Sequence, residues 1–132
     1  MRNFFRALTL SPTQQRGRAA ERLACAELRR RGRRVLATNV RFPVGELDII
    51  ARHGAALCFI EVKARASAAF GHPAEMVTRE KRRRFLRAVQ WYLTRHPWQG
   101  EIRFDVVAIL QPPGAPPAID LIPNAFTADD CV

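Results

Sequence analysis

The sequence predicts a single mixed α/β domain in which helices pack on a central sheet, with the element order αβββαββ. Three observations lead to this fold class. The chain has 132 residues, one domain's worth, and 48% of them are apolar, so a buried core can form. Two long segments carry apolar residues at helical spacing, and short apolar runs lie between and after them. We therefore treat residues 1–132 as one domain with its core at residues 12–126.

The first predicted element is a helix that begins at Ser11, runs to Arg31 and ends before Gly32. A proline follows Ser11, which suits the first helical position, and glycine is a common C-terminal stop. The apolar stripe of the helix has four-residue spacing and consists of Ala20, Ala24 and Leu28. Glu21 borders this stripe, so we expect its carboxylate beside the buried face.

Three strands are predicted to follow. The first is Arg34–Thr38, which leads into a turn at Asn39–Pro43. The other two, Glu46–Arg52 and Ala56–Arg65, flank His53-Gly54 and are typical of a β-hairpin.

The remaining predicted elements are a helix and two strands. The basic amphipathic helix covers Pro73–Arg95 and ends before Pro97. The strands are Ile102–Leu110 and Ala118–Ile122. Asp105 lies in the first of these, where a buried carboxylate needs a partner, and we expect a nearby arginine to supply it.

The predicted hairpin carries the residues that point to chemistry. Because side chains alternate along a strand, we expect Glu46 and Asp48 on one face of the first strand. Glu61 and Lys63 are expected on one face of the second. A two-residue turn at His53-Gly54 would pair position 52 with position 55, which puts Glu46 opposite Glu61 and Asp48 one diagonal step away. On the first strand, Leu47 and Ile49 would then share the other face.

Like charges that face each other destabilise a sheet, so this patch calls for a cation. Mg²⁺ and Mn²⁺ favour oxygen ligands and are the expected cofactors. We predict Asp48 and Glu61 as metal ligands, with Glu46 as a third candidate. This pairing depends on the register, because a one-residue slip would turn the set to the other face.

Lys63 stands out because the chain uses arginine 20 times and lysine only at positions 63 and 81. An arginine keeps its proton in a protein, whereas a lysine near carboxylates can tune its pKa and handle a water proton. The alternative is an ordinary Glu–Lys pair on a solvated face, which is the commoner meaning of an isolated Glu-x-Lys. The nearby carboxylates favour chemistry, and the predicted catalytic residues are Glu21, Asp48, Glu61 and Lys63.

The distribution of charge points to a polyanionic partner. The net charge is +10, and residues 1–100 hold 21 of the 22 basic residues but 7 of the 12 acidic ones. Nucleic acid is the partner that such a surface attracts most strongly. The predicted contact residues are Arg18, Arg22, Arg41, Lys81, Arg82, Arg83 and Arg84. The alternative is a charged face that only meets solvent.

Other features bear on where the protein acts. No apolar run approaches the roughly 20 residues that span a bilayer, and Met1–Leu10 lacks the apolar segment and cleavage site of a secretory signal. Cys25, Cys58 and Cys131 are far apart and lack metal-ligand spacing. Buried free thiols in a reducing compartment are expected, and the cytoplasm is the predicted location.

The runs Gly45–Ile50 and Phe59–Lys63 resemble the YraN-type uncharacterised protein family of bacteria. Further matches in chain order are Glu21, Ala24, Leu28, Gly32, Asn39, Arg41, Phe70, Gly71, Val77, Lys81, Arg103–Val107 and Asn124–Phe126. The resemblance covers residues 17–126 and implies a restriction-endonuclease-like fold, similar to archaeal Holliday-junction resolvases. It also implies that Asp48, Glu61 and Lys63 form the metal-nuclease motif of that superfamily. Glu21 matches the acidic residue that its members carry on a helix, and Glu46 belongs to a Gly-Glu-x-Asp pattern.

Two functions follow from these observations. The first is a magnesium-dependent endonuclease acting on DNA in preference to RNA, including branched intermediates of repair or recombination. The second is a non-catalytic nucleic-acid-binding module that keeps the nuclease fold. The complete set of Asp48, Glu61 and Lys63 favours the nuclease, while a purely protein-binding adaptor makes poor use of the basic helices. A homodimer is an option, since symmetrical cutting of two strands favours one.

Overall fold

The computed structural model describes residues 12–66 and 78–131, which form a five-stranded sheet between two helices. In chain order the elements are α1 (Pro12–Arg30), β1 (Arg34–Phe42), β2 (Gly45–His53), β3 (Ala56–Arg65), α2 (Arg79–Arg95), β4 (Ile102–Leu110), β5 (Ala118–Phe126) and a short 3₁₀ helix (Asp129–Cys131). The predicted α/β class and the order αβββαββ are confirmed. Several positions singled out in the sequence lie outside the described residues: Met1–Leu10, Ser11, Phe70, Gly71, Pro73 and Val77.

The sheet is mixed, and its strand order follows the chain from β1 to β5. Neighbouring strands are antiparallel except β3 and β4, which are parallel and are connected through α2. Helix α1 packs on one face against Ile49, Ile60 and Val107. Helix α2 packs on the other face against an aromatic group that includes Phe59 and Phe104. Both faces of the central strand β3 are therefore buried over its first half.

Helix α1 ends as predicted. Gly32 has φ +80°, a left-handed conformation that glycine adopts without steric cost. The amide of Gly32 donates to the carbonyl of Arg29, and the amide of Arg33 donates to the carbonyl of Leu28. This hydrogen-bond pattern is a Schellman motif, and it turns the chain so that Arg33 enters the protein instead of extending the helix.

Two predicted boundaries are wrong at β1 and α2. The turn expected at Asn39–Pro43 is strand up to Phe42, because asparagine tolerates the left-handed φ of +51° and lets the strand continue through position 39. Helix α2 begins at Arg79 and not at Pro73. Thr78 has extended backbone angles, and its hydroxyl accepts a hydrogen bond from the amide of Lys81, so it is the N-cap.

Strand β5 is longer than predicted and reaches Phe126. It carries an irregularity opposite Asp105, where the pairing shifts between Phe104 and Val106. Asn124 lies in this irregular stretch with φ +49°, and its amide donates to the Asp105 carboxylate. The side chain of Asp105 therefore replaces a missing backbone partner, which lets the strand continue beyond the predicted end.

The hairpin register is also wrong, by two positions. The turn residues are Gly54 and Ala55, so His53 pairs with Ala56 and Arg52 pairs with Leu57. Gly54 has φ +60°, and glycine at the first central position is typical of a type II′ turn, whereas the predicted turn placed glycine second. The partner of each paired β2 residue, 49–53, moves by two positions along β3, and an even shift does not turn these side chains to the other face.

A buried ion pair ties α1 to the sheet. The guanidinium of Arg33 contacts the Asp105 carboxylate, and both side chains are almost completely buried. Arg103 lies 3.5 Å from the same carboxylate, and the amide of Asn124 donates to its other oxygen at 2.9 Å. The expectation that an arginine partners Asp105 is confirmed.

Two findings concern the whole described chain. None of its helices is long and apolar enough to cross a bilayer. All three cysteines are buried and unpaired, as the sequence predicts.

Asp105→Asn should destabilise the protein by about 3–5 kcal/mol, because it leaves two buried guanidinium groups without a counter-charge. Urea unfolding measures this loss. Glu27→Gln is the matched control, since Glu27 pairs with Arg30 and Arg31 on the surface of α1 and should have a far smaller effect. Equal losses in the two variants would show that the buried pair is not the anchor.

Candidate functional site

The predicted site residues lie where β2 and β3 separate. Pairing between these strands ends at Ile49 and Ile60, although β2 stays paired with β1 and β3 stays paired with β4 beyond that point. The amide of Val62 would lose its partner here, and instead it donates to Oδ2 of Asp48 at 2.9 Å. The Asp48 side chain thus occupies the fork between the two strands.

The regular alternation of side chains breaks at the same place. Leu47 packs in the core beneath α2, whereas Ile49 packs beneath α1, so the prediction that they share a face is wrong. The paired strand β1 shows why. Asn39 has left-handed backbone angles, and Ala37 and Val40 on either side of it both pack toward α2. The irregularity in both strands directs Asp48 sideways toward β3.

The fork opens into a cleft of about 620 Å³. Its carboxylates are Glu46, Asp48 and Glu61, and its basic residues are Arg41, Lys63, Lys81 and Arg84. The three residues of the predicted motif therefore lie together. Glu46 borders the same cleft but is not opposite Glu61 as predicted: it faces Arg41 on β1, with their charged groups 3.7 Å apart and largely exposed.

Asp48 and Glu61 form a close pair of partly buried carboxylates. Burial raises the pKa of both groups, and their side chains are within hydrogen-bonding contact. The pKa of Glu61 rises to about 8, first from burial and then from the charge of Asp48. Without a cation the pair is most stable when Glu61 holds a proton that Asp48 accepts.

Glu21 is the electrostatic neighbour of this pair on the α1 side. Its pKa is raised to about 7, first by burial and then by the charges of Asp48 and Glu46. The side-chain amide of Asn39 donates to its carboxylate at 2.6 Å and holds it toward β1. Glu21 is not among the described residues that line the cleft, so it is placed to act on the pair through its charge and not by contact.

Lys63 lies beside the carboxylates, with Nζ 4.0 Å from Oε2 of Glu61. Burial lowers its pKa, Glu61 opposes that effect, and the charge of Lys81 lowers it further. Lys81 is a member of the site that the sequence placed only on the docking surface. The signal that could have found it is the one that identified Lys63, the scarcity of lysine in an arginine-rich chain.

Gly45 allows α2 to bring its basic residues to the cleft. A Cβ atom at this position would lie 2.9 Å from the backbone carbonyl of Arg84, closer than real Cβ contacts come. Any larger residue would push α2 away from β2. The glycine before Glu46 therefore fixes the distance between the carboxylates on the sheet and the cations on the helix.

The predicted nucleic-acid contacts differ in how they are placed. Arg18, Arg22, Arg41, Lys81, Arg83 and Arg84 are exposed. Arg82 is not fully exposed: its guanidinium lies over the ring of Phe126 at 5.4 Å, and its Nε is buried without a hydrogen-bond partner. Successive helical residues point about 100° apart. Arg82 therefore packs against β5, while Lys81 and Arg84 reach the cleft.

The described residues suit a hard divalent cation bound with water. They contain no group of three or more His, Cys, Asp and Glu side chains arranged to enclose a metal. Mg²⁺ does not need such a cage, since it commonly binds through one or two carboxylates and keeps several waters. The contact between Asp48 and Glu61 is unfavourable unless a positive charge lies between them, and the raised pKa of Glu61 favours a proton in that position.

The fold and the cleft define an α/β protein with a mixed sheet that splits around a carboxylate–lysine cluster. Residues 20–109 match the family described as Uncharacterised protein family UPF0102, and the chain belongs to this family. The resemblance to the YraN-type family is thereby confirmed.

Relatives match over most of their length. The UPF0102 protein of Syntrophotalea carbinolica is 45% identical over 86% of this chain and 92% of its own. The relative from Chlorobaculum tepidum is 48% identical over 76% and 79% of the two chains. The relative from Desulfosudis oleivorans is 40% identical over 91% and 96%. The matched region contains every residue of the cleft cluster.

The metal-free protein should lose stability as the pH rises through the titration of Glu61. Its pKa is raised from 4.5 to about 8, so the stability it contributes is complete below pH 4.5 and lost as the pH approaches 8. At pH 8 in the presence of chelator, the free energy of unfolding of Glu61→Gln should exceed that of the wild type by about 2–4 kcal/mol.

Urea unfolding at pH 5 and pH 8 measures this difference. Glu80→Gln removes the same charge from an exposed position on α2 and serves as the control. A similar gain in Glu80→Gln, or no gain in Glu61→Gln at pH 8, would contradict the shared-proton interpretation.

Proposed function

We propose that this protein is a metal-dependent nuclease that cuts DNA, with Mg²⁺ or Mn²⁺ bound by Asp48 and Glu61. The observation that carries the proposal is the contact between two partly buried carboxylates beside a partly buried lysine, in a cleft with exposed arginines. A protein that only binds nucleic acid gains nothing from carboxylates that repel phosphate and cost stability. The arrangement is useful when a cation and a phosphate arrive together.

The carboxylates have distinct parts in this proposal. Asp48 is held by the amide of Val62 through Oδ2, and its side chain contacts Glu61. Glu61 would hold a divalent cation in its ionised form, with its proton released to solvent. Glu46 is exposed and paired with Arg41, which suits it to a water-mediated contact better than to direct ligation. A bound Mg²⁺ or Mn²⁺ neutralises phosphate charge and makes a nearby water more acidic.

Lys63 is the residue that handles the proton. Burial lowers its pKa, so it can exchange a proton more readily than a solvated lysine. Its ammonium group lies 4.0 Å from Glu61, close enough to meet both a water and a phosphate oxygen at the carboxylate pair. It can orient the attacking water, accept its proton, or stabilise the charge that develops on the phosphate.

Exposed arginines provide the docking surface. Arg41 from β1 and Arg84 from α2 both line the cleft, with side chains that are 79% and 55% exposed. Each guanidinium can donate two parallel hydrogen bonds to a phosphate group. Because such contacts read the backbone and not the bases, this surface supports binding without sequence preference.

Binding to duplex DNA should depend steeply on salt through these arginines. Removing Arg41 and Arg84 together should flatten the log–log salt dependence of the affinity by about 2, close to 0.9 for each phosphate contact. Fluorescence anisotropy with Ca²⁺ in place of Mg²⁺ measures binding in the absence of cutting. Arg30→Ala is the control, because Arg30 pairs with Glu27 and does not line the cleft. An unchanged slope in the double variant would exclude this docking surface.

Cleavage should depend on Asp48 and Lys63 in different ways. Asp48→Asn should lose both Mn²⁺ affinity, measured by calorimetry, and all cutting, while DNA binding persists. Lys63→Ala should keep Mn²⁺ but cut roughly 10²–10⁴-fold more slowly. Glu27→Gln, which removes an acidic group far from the cleft, should behave as wild type.

The substrates to compare are linear duplex, single-stranded, flapped and four-way-junction DNA and structured RNA, each with Mn²⁺ or chelator. If the wild type cuts none of them, or the two site variants cut as fast as wild type, the nuclease proposal is wrong. Retained nucleic-acid binding would then favour the non-catalytic binding module.

A further inference from the structure

The chain's only two lysines meet at one point. Lys63 comes from β3 and Lys81 from α2, and their ammonium groups are within hydrogen-bonding contact of each other. An ammonium group donates hydrogen bonds and cannot accept them, so two charged ones in contact repel and do not bond. Glu61 and Asp48 offset part of this repulsion, and an anion bound by both lysines would offset it further.

A second cleft of about 710 Å³ begins at these lysines. Lys63 and Lys81 line both clefts, so the two spaces meet at the lysine pair. Among the described residues, the charged groups of the second cleft are Lys63, Arg65 and Lys81, and all are basic. The first cleft holds three carboxylates, whereas the described lining of the second holds none.

We propose that the second cleft is an anion site in which Lys63 and Lys81 together bind one phosphate of a nucleic-acid strand, next to the phosphate being cut. The assignment of the anion to a substrate strand rests on the proposed nuclease function. Anion binding itself rests only on the lysine pair and the basic lining.

The chemistry of the pair selects a phosphate group. A phosphate offers several acceptor oxygens around one centre, so a single group can accept hydrogen bonds from both ammonium ions and from Arg65. Lysine acts as a compact point charge, whereas arginine presents a wide planar fork. Two compact ammonium groups can therefore approach one phosphate from neighbouring positions on β3 and α2.

The arrangement gives the strand a path through the site. A phosphate in the second cleft would contact Lys63 and Lys81, which also line the first cleft with Asp48 and Glu61. The strand would then run from the carboxylate cleft, past Lys63, into the basic cleft. Lys81 would hold the flanking phosphate and so position the scissile one, while Lys63 contacts both.

The two lysines make a direct measurement possible. Protein labelled with ¹³C only in lysine gives two side-chain Cε signals, which Lys63→Met and Lys81→Met assign. Inorganic phosphate is the probe, titrated against chloride of equal ionic strength. We expect both signals to shift with one common affinity, and Lys81→Met should weaken that affinity roughly tenfold or more.

Arg87→Ala is the matched control, because Arg87 is an exposed residue of α2 that lines neither cleft. Retained phosphate binding in this variant supports the site. Signals that stay unchanged, shifts that chloride reproduces, or an equal loss in Arg87→Ala would overturn the proposal. Lys81→Arg should also weaken phosphate binding despite its retained charge, and full binding in that variant would contradict the geometric argument.

DNA in which one phosphate is replaced by neutral methylphosphonate tests the link to the substrate. In wild type, replacing the phosphate adjacent to the cut should weaken binding in Ca²⁺, and in Lys81→Met the same replacement should have little further effect. Additive losses would overturn the contact. Phosphate binding without cleavage of any nucleic acid would support the anion site and contradict the nuclease proposal. Cleavage without phosphate binding would support the nuclease proposal and contradict the anion site.

Discussion

The separation of β2 from β3 at Asp48 is the constraint on which the site depends. A sheet that splits leaves backbone groups without partners, and Val62 avoids this loss by donating to the Asp48 side chain. That hydrogen bond fixes one carboxylate in the fork, and the first unpaired residue of β3, Glu61, must then lie against it. The cleft, the raised pKa values and the position of Lys63 all follow from this one break in the ladder.

The like charges of the site destabilise the protein, and interactions elsewhere in the fold compensate for this loss of stability. Pairs of like charges in partly buried positions oppose folding, and they are held together because the strands that carry them are fixed elsewhere. Helix α1 is tied to β4 by Arg33 and Asp105, and α2 packs on the sheet through the rings of Phe85, Phe104 and Phe126. Because the backbone is fixed on both sides of the fork, the charged side chains remain close to one another.

The sequence predicts the elements and the motif well, because apolar periodicity and turn residues are local signals. The sequence does not predict the features that depend on contacts between two distant segments. The register was displaced because Gly54 can occupy either position of a two-residue turn, and only the packing of both strands decides which. The break at Asp48 needs the left-handed backbone of Asn39 on another strand. The place of Arg82 depends on Phe126, which is 44 residues further along the chain.

Lys63 links the two halves of the site, and this has a thermodynamic consequence. A cation between Asp48 and Glu61 removes negative charge that now favours the protonated lysine, while an anion between Lys63 and Lys81 removes the repulsion that now opposes it. A cation alone would balance the carboxylate pair but add a further positive charge beside the two lysines. An anion alone would balance the lysine pair but add a further negative charge beside the two carboxylates. Both together balance every group in the cluster. If the proposed cation and phosphate both bind, we therefore expect each to strengthen the binding of the other by the same factor.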